Sequence, residues 1–454
     1  MDDLRRLSAG QDAMWHLHRL APDRAAYNIT LAVRVRTPLE PDLLHRAVAA
    51  LAARHDLLRS VFTEIDGVPW RVVRAPAMVR LEVREMAGAD DDAVAAAARD
   101  VGRTPFRLAE GAVRLVLLRR RHDDAVLVVV AHHIISDRTS QWLLMRDLLD
   151  AYRGLLTAGE PAWSELDRAF DDHVEDERRL LASPRGPELA ERWRRICADA
   201  PAAELPADRP RPERQGFTGA TVQRRFPDAL HGRLRPAADA LGVTPFALVL
   251  GAFETVLHRY TGHDRFLIGC PASIRFRRGM RDVVGYLVNT LVLRARLSPA
   301  TTLGEAAVSA YRQTATAMAA ARYPTVLLPR PEDRARLFHI AVTMVTANRM
   351  EPLLDLLDGG LDYGGLRLEL VDVPHMEGQL DLSVELRESR GALTVTFRYD
   401  VDLFDAVTIE RLADHLVTVT EAAVADPGTP VSGVSLGDET DLERLLAMGT
   451  GPTR

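Results

Sequence analysis

The chain has 454 residues, 47% of them hydrophobic and 27% charged, enough to bury a substantial core and long enough for two domains. Its 58 basic and 64 acidic residues leave a formal charge of -6, and the basic residues are scattered among acids, which argues against a nucleic-acid partner. Two cysteines far apart in sequence, Cys197 and Cys270, exclude a disulfide framework and a cysteine-based zinc site and suit a reducing cytoplasm. No apolar run reaches the roughly 20 residues of a membrane-spanning helix. Every basic residue is arginine, so lysine Schiff-base chemistry is ruled out.

Asn28 to Arg36 (NITLAVRVR) alternates as a half-buried strand does, and Pro41 to Phe62 carries Leu44, Val48 and Leu51 at helical spacing. The segments VPWRVVRA, VRLEVRE and AVRLVLLRRR are further strand candidates, the last joined through HDD to the continuous apolar run Ala125 to Ala131 as a hairpin. Past that run, QWLLMRDLLDAYRG places Trp142, Leu143, Leu149 and Tyr152 in a helical rhythm that is expected to end at Gly154. Glu160 to Gly216 is charged and helical at first, then becomes PAAELPADRPRPERQG, whose prolines preclude a helix or central strand. A strand (TVQRRF), an apolar helix (PFALVLGAFETVLHRYTG), a second strand (RFLIGCPA) and a late helix (DAVTIERLADHLVTVTEAAVA) follow. The division expected is an amino-terminal lobe at 1–175, a connector at 176–216 and a carboxy-terminal lobe at 217–454.

Between the apolar strand and the following helix stands AHHIISDRTS, Ala131 to Ser140. Successive side chains of a strand face opposite ways, so of His132 and His133 one is expected in a cleft and the other in the core. A neutral imidazole suits proton transfer from an attacking amine or hydroxyl, which acyl transfer requires. Asp137 is better placed to fix the loop by pairing with an arginine elsewhere. Ser136 and Asp137 also have a plain structural explanation as helix N-caps. Adjacent opposed histidines cannot chelate together and there is no HExxH pair, so no metal is expected.

The surroundings of this motif resemble the condensation domains of nonribosomal peptide synthetases. LSAGQDAMWHL (Leu7 to Leu17) is similar to the family's opening motif, with Ser8, Gln11 and Trp15 matching. RHDLLRSVF resembles the second, AHHIISD the active-site motif, and FDDHVEDE (Phe170 to Glu177) part of the fourth. VGYLVNTLVLR (Val284 to Arg294) resembles the fifth, including Gly285, Asn289 and Thr290.

The resemblance implies an α/β (α+β) fold of two chloramphenicol-acetyltransferase-like lobes, a V-shaped pseudo-dimer with the active site in a tunnel between them. His133 is expected to face the reaction centre, with His132 and Asp137 holding the loop and Arg275 as the partner of Asp137. Arg138, Ser136, Gly285 and Asn289 are expected on the tunnel or substrate side. The donor acyl group would arrive as a thioester on the phosphopantetheine arm of a peptidyl carrier protein. The acceptor would be a small molecule or carrier-bound, and no cofactor would be bound permanently.

Two departures stand out. The family usually has glycine where this chain has Arg138, and RYPTVLLPR keeps Pro324 without the acidic and glutamine residues of the sixth motif. The final LLAMGTGPTR resembles the linker that follows such domains, yet the chain could equally be a free-standing enzyme. The rivals are an acyltransferase of the same superfamily using acyl-CoA and a catalytically silent domain that recruits another enzyme.

Overall fold

In the computed structural model the residues described are 3–212, 216–328, 336–346, 353, 356, 359–373, 380–389 and 391–437; the terminal linker-like segment lies outside them. The amino-terminal part runs β1 (Asp3–Arg5), α1 (Ala9–Leu20), β2 (Asn28–Val35), α2 (Pro41–Arg54), β3 (Ser60–Ile65), β4 (Val68–Val73), β5 (Leu81–Glu85), α3 (Asp91–Arg103), β6 (Val113–Arg121), β7 (Asp124–His132) and α4 (Arg138–Thr157). Helices α5 (Phe170–Ala182) and α6 (Arg185–Cys197) lead to the proline-rich connector, which where described forms no helix and only an isolated bridge at Ala202. Beyond it come β8 (Gly219–Arg225), α7 (Asp228–Ala240), α8 (Pro245–Thr261), β9 (Arg265–Ser273), β10 (Val288–Arg296), α9 (Leu303–Met318), β11 (Ile340–Thr346), β12 (Leu361–Tyr363), β13 (Leu366–Val371), β14 (Leu382–Ser389), β15 (Ala392–Asp400) and α10 (Ala406–Ala425).

Two six-stranded sheets organise the molecule, ordered β12-β13-β2-β7-β6-β5 and β10-β9-β11-β14-β15-β8, beside a small sheet β1-β4-β3. Strand β7 lies inside the first sheet and every one of its residues is buried, which explains its continuous apolar run: with both faces covered, alternation has no solvent side to serve. It turns from β6 through His122 and Asp123. At its start the buried Asp124 accepts two hydrogen bonds from Arg34 of β2, at 2.7 and 2.8 Å.

Helix α2 stops at Arg54, well before Phe62. A short 3-10 turn, Asp56–Arg59, follows, and Ser60 onward pairs with β4. Helix α4, by contrast, continues past Gly154 to Thr157. Gly154 serves close approach rather than termination, because a Cβ there would lie 2.4 Å from the backbone nitrogen of Ala162 and the carbonyl oxygen of Glu160.

Each large sheet has its own hydrophobic core, and segments from beyond the connector enter the amino-terminal one, Leu353 and Leu356 among them. Strand β13 pairs with β2 and carries Leu366 and Leu368 into that core, and the loop between β9 and β10 adds Met280, Val283, Val284 and Leu287. The division at residues 175 and 217 is thus crossed by segments that bury apolar area in the other lobe. Among the described residues no single helix is long and apolar enough to cross a membrane.

Candidate active site

The motif loop begins where β7 ends. His132, the last strand residue, is 2% exposed and sits among His18, Tyr27 and Phe106, with ring centroids 5.3, 6.2 and 6.4 Å away. Its Nδ1 accepts the backbone N–H of Ile134 at 3.1 Å. Burial, with His18 and His133 nearby, holds this ring well below the usual imidazole range. It is a neutral core group that fixes the turn.

His133 lies one residue past the strand and lines two cavities, of about 380 and about 650 Å³. Its Nδ1 is 2.7 Å from the carbonyl oxygen of Ser136. A carbonyl only accepts, so Nδ1 carries the hydrogen and the lone pair sits on Nε2. The edge of the ring meets Tyr286 at 4.9 Å between centroids and 84° between planes. Burial lowers the ring's pKa, opposed by the Ser136 carbonyl and Asp137, so the imidazole is neutral, and able to take a proton, at physiological pH.

Asp137 is fully buried and N-caps α4, accepting the Ser140 N–H at 2.8 Å. The Arg275 guanidinium donates to both carboxylate oxygens, at 2.7 and 3.0 Å, and the Leu287 N–H adds a third partner at 3.0 Å. Burial alone would raise this carboxyl, but the Arg275 charge and hydrogen bonds hold it below the usual carboxylate range. Arg275 also donates to Ser140 Oγ at 2.7 Å, and that hydroxyl is bonded to both the N–H and the carbonyl of Gly285, each at 2.9 Å. One buried knot thus joins the start of α4 to the loop from the other lobe.

Ser136 and Gly285, expected on the substrate side, line neither cavity. Ser136 is wholly buried, its hydroxyl accepting from Gln141 Nε2 at 3.1 Å. Gly285 lies against Phe170, whose ring would be 2.1 Å from a Cβ, so glycine is required for that contact. Asn289 does line the smaller cavity, but its amide is occupied: Nδ2 donates to the carbonyls of Ala321 and Tyr323 at 2.8 and 2.7 Å, and Oδ1 accepts from Thr325. It holds the wall. Arg138 lines the larger cavity and pairs with Glu385 of β14 in the opposite lobe.

Several wall residues carried no sequence signal of their own. Tyr286, inside the fifth-motif segment, meets the His133 ring and Glu385 shares its cavities only through folding. Glu385 accepts from Arg138 and Arg398, and Glu385, Arg398 and His133 border both cavities. Gln11 of the first motif donates to the Ile134 carbonyl at 2.9 Å, which ties α1 to the motif loop. His173 and Glu177, four apart on α5 within the fourth-motif segment, line the smaller cavity 3.8 Å from each other; burial pushes the first down to about 4 and the second up to about 7. A larger cavity, about 730 Å³, opens between α9 and β10 away from all of these, so size does not mark the site.

Two mixed α/β lobes that bring a half-buried, singly tethered imidazole to the border of two cavities fit the chloramphenicol-acetyltransferase-like class. The family model for the condensation domain matches residues 2–446. The chain belongs to this family, the condensation domains of nonribosomal peptide synthetases.

Phosphinothricin tripeptide synthetase PhsC of Streptomyces viridochromogenes is 30% identical over 451 residues, 97% of this chain and 41% of that protein. Malpibaldin synthetase of Mortierella alpina is 28% identical over 451 residues, covering 97% of this chain and 8% of that protein. The chain thus spans less than half the length of these relatives. Among solved structures, the X-domain from teicoplanin biosynthesis superposes with a TM-score of 0.84 at 25% identity, covering 95% of this chain and 97% of that one.

Proposed function

We propose that the chain transfers an acyl or aminoacyl group from a thioester on the phosphopantetheine arm of a peptidyl carrier protein to an amine or alcohol, forming an amide or ester. The observation that carries this reading is the position of His133, which borders two cavities while its Nδ1 is held by the Ser136 carbonyl, leaving Nε2 as the lone-pair nitrogen. Substrates entering from opposite sides would meet at that ring. The acceptor N–H or O–H donates to Nε2 and attacks the thioester carbonyl; the new C–N or C–O bond forms as the C–S bond breaks, and the proton leaves with the thiol. Asp137 and Arg275 touch no reacting atom and act as positioning residues for the loop. The two cysteines are unpaired, and burial raises their thiols to about 11 and about 12, which leaves them too unreactive to serve as acyl carriers.

The test supplies one acyl group in two forms, as a carrier-bound thioester and as the coenzyme A thioester, with a panel of amino acids and amino alcohols. Transfer from the carrier form at low concentration, with the coenzyme A form poor, is expected. Preference for coenzyme A would favour the acyl-CoA-dependent acyltransferase. No transfer from either, with a native fold, would favour the recruitment domain.

A further inference from the structure

The larger of the two cavities is strongly basic although the chain as a whole carries a formal charge of -6. Arg99 and Arg103 reach it from α3, Arg138 from α4, Arg387 from β14 and Arg398 from β15, against two carboxylates among the described residues, Glu385 and Asp372. Glu385 is already shared by Arg138 and Arg398. Among the described residues the side chains of Arg99, Arg103 and Arg387 make no hydrogen bond or ion pair, although the charge of Arg387 acts on Glu385, and Arg99 and Arg387 are half-buried. Like charges converging on a concave, low-dielectric wall focus a positive potential into it. The guanidinium is the side chain best matched to carboxylate and phosphate oxygens, through paired N–H donors. The basic groups come from both lobes and line the same space that ends on His133, so an anion held there belongs to a molecule that enters the tunnel.

We propose that this cavity binds an oxyanion carried by the donor substrate, with Arg99, Arg103 and Arg387 as its ligands. A carboxylate on an acidic acyl group and a phosphate on the donor's arm share this chemistry. The inference rests on the transfer reading for its link to His133, whereas binding itself requires no turnover.

The experiment measures binding by titration calorimetry with unreactive amide analogues of the donor: N-butyryl-aminopantetheine, its succinyl counterpart, which adds a carboxylate, and its 4′-phosphorylated form. The expected result is that at least one anionic analogue binds about tenfold or more tightly than the neutral one, as charge-assisted hydrogen bonds should give. That preference should collapse in the Arg99→Glu/Arg103→Glu double variant and weaken in Arg387→Gln, which preserves charge-independent packing. A preference for the succinyl analogue alone assigns the oxyanion to the transferred group, and one for the phosphorylated analogue alone assigns it to the arm. Equal affinities in the unaltered protein, or a preference that survives both variants, would overturn the proposal. Transfer of a neutral butyryl thioester by the unaltered protein, measured separately, tests the transfer reading alone, so the two can fail independently.

Discussion

Two neighbouring histidines have opposite surroundings because one ends a strand and the next begins a turn. His132 still obeys the pleat and enters the core, whereas the backbone N–H of His133 bonds the Tyr27 carbonyl at 2.7 Å as the chain swings into the loop that returns Nδ1 to Ser136. The lowered pKa of His133 has a kinetic consequence. A base that is already neutral stays active as pH falls through the ordinary imidazole value of about 6.5, and loses activity only below it. The acid limb of kcat/KM should therefore lie below pH 6.5, and an acid limb above that value would assign the titration to another group. The motif was legible in the sequence because its parts are local. Tyr286 and Glu385 were not, because the chain brings them to His133 from about 150 and 250 residues away.

Among the elements, α4 depends on a residue that does two tasks. Asp137 caps its first turn and anchors Arg275 and Leu287. Removing either member of the ion pair leaves a buried charge without its partner, so Asp137→Asn and Arg275→Gln should each destabilise by roughly 3 to 5 kcal/mol. A double-mutant cycle by thermal melts should show strong non-additivity; additive effects would mean the pair is not a unit.

Helices α8 and α9 hold another buried carboxyl between them. Glu254 accepts from Gln313 Nε2 at 2.6 Å, and burial pushes it up to about 8 from the usual 4.5. The raised pKa means the folded state binds the proton more tightly than the unfolded chain, so its contribution is full below pH 4.5 and is lost as pH rises through about 8. Glu254→Gln should melt at nearly the unaltered temperature in acid and at a higher one at pH 8 to 9. A variant whose melting difference does not change with pH would show that Glu254 is not protonated in the fold. The sequence pattern located both helices' apolar faces in general terms, but a lone acid inside PFALVLGAFETVL gives no sign of its partner, since Gln313 is 59 residues away.

At the scale of the whole molecule, the lobes are joined by carboxy-terminal segments inserted into the amino-terminal core and by contacts beside the two cavities. A two-lobe α/β architecture was readable from the repeated mixture of strands and helices and from the ordered motifs. The insertion was not, because LRLELV of β13 has the pattern of any strand and only pairing with β2 reveals its sheet. Arg138, where the family usually has glycine, crosses from α4 to Glu385. Its side chain is 46% exposed, so cutting this tie should cost under about 1 kcal/mol, while the cavity beside His133 widens. Arg138→Gly is expected to melt near the unaltered temperature yet to accept bulkier substrates across a panel of amines, alcohols and carrier-bound acceptors. Coincident profiles for the two proteins would show that Arg138 does not narrow the channel.

His133, at the border of two cavities, is the residue proposed to carry acyl transfer. That role is tested most directly by single-turnover transfer from a chemically loaded carrier thioester to an accepted amine or alcohol, comparing the unaltered protein with His133→Ala of matched circular dichroism. Loss of a positioned base should slow the step by about 10²- to 10⁴-fold with carrier binding retained. A His133→Ala protein that transfers at near the unaltered rate would contradict the account.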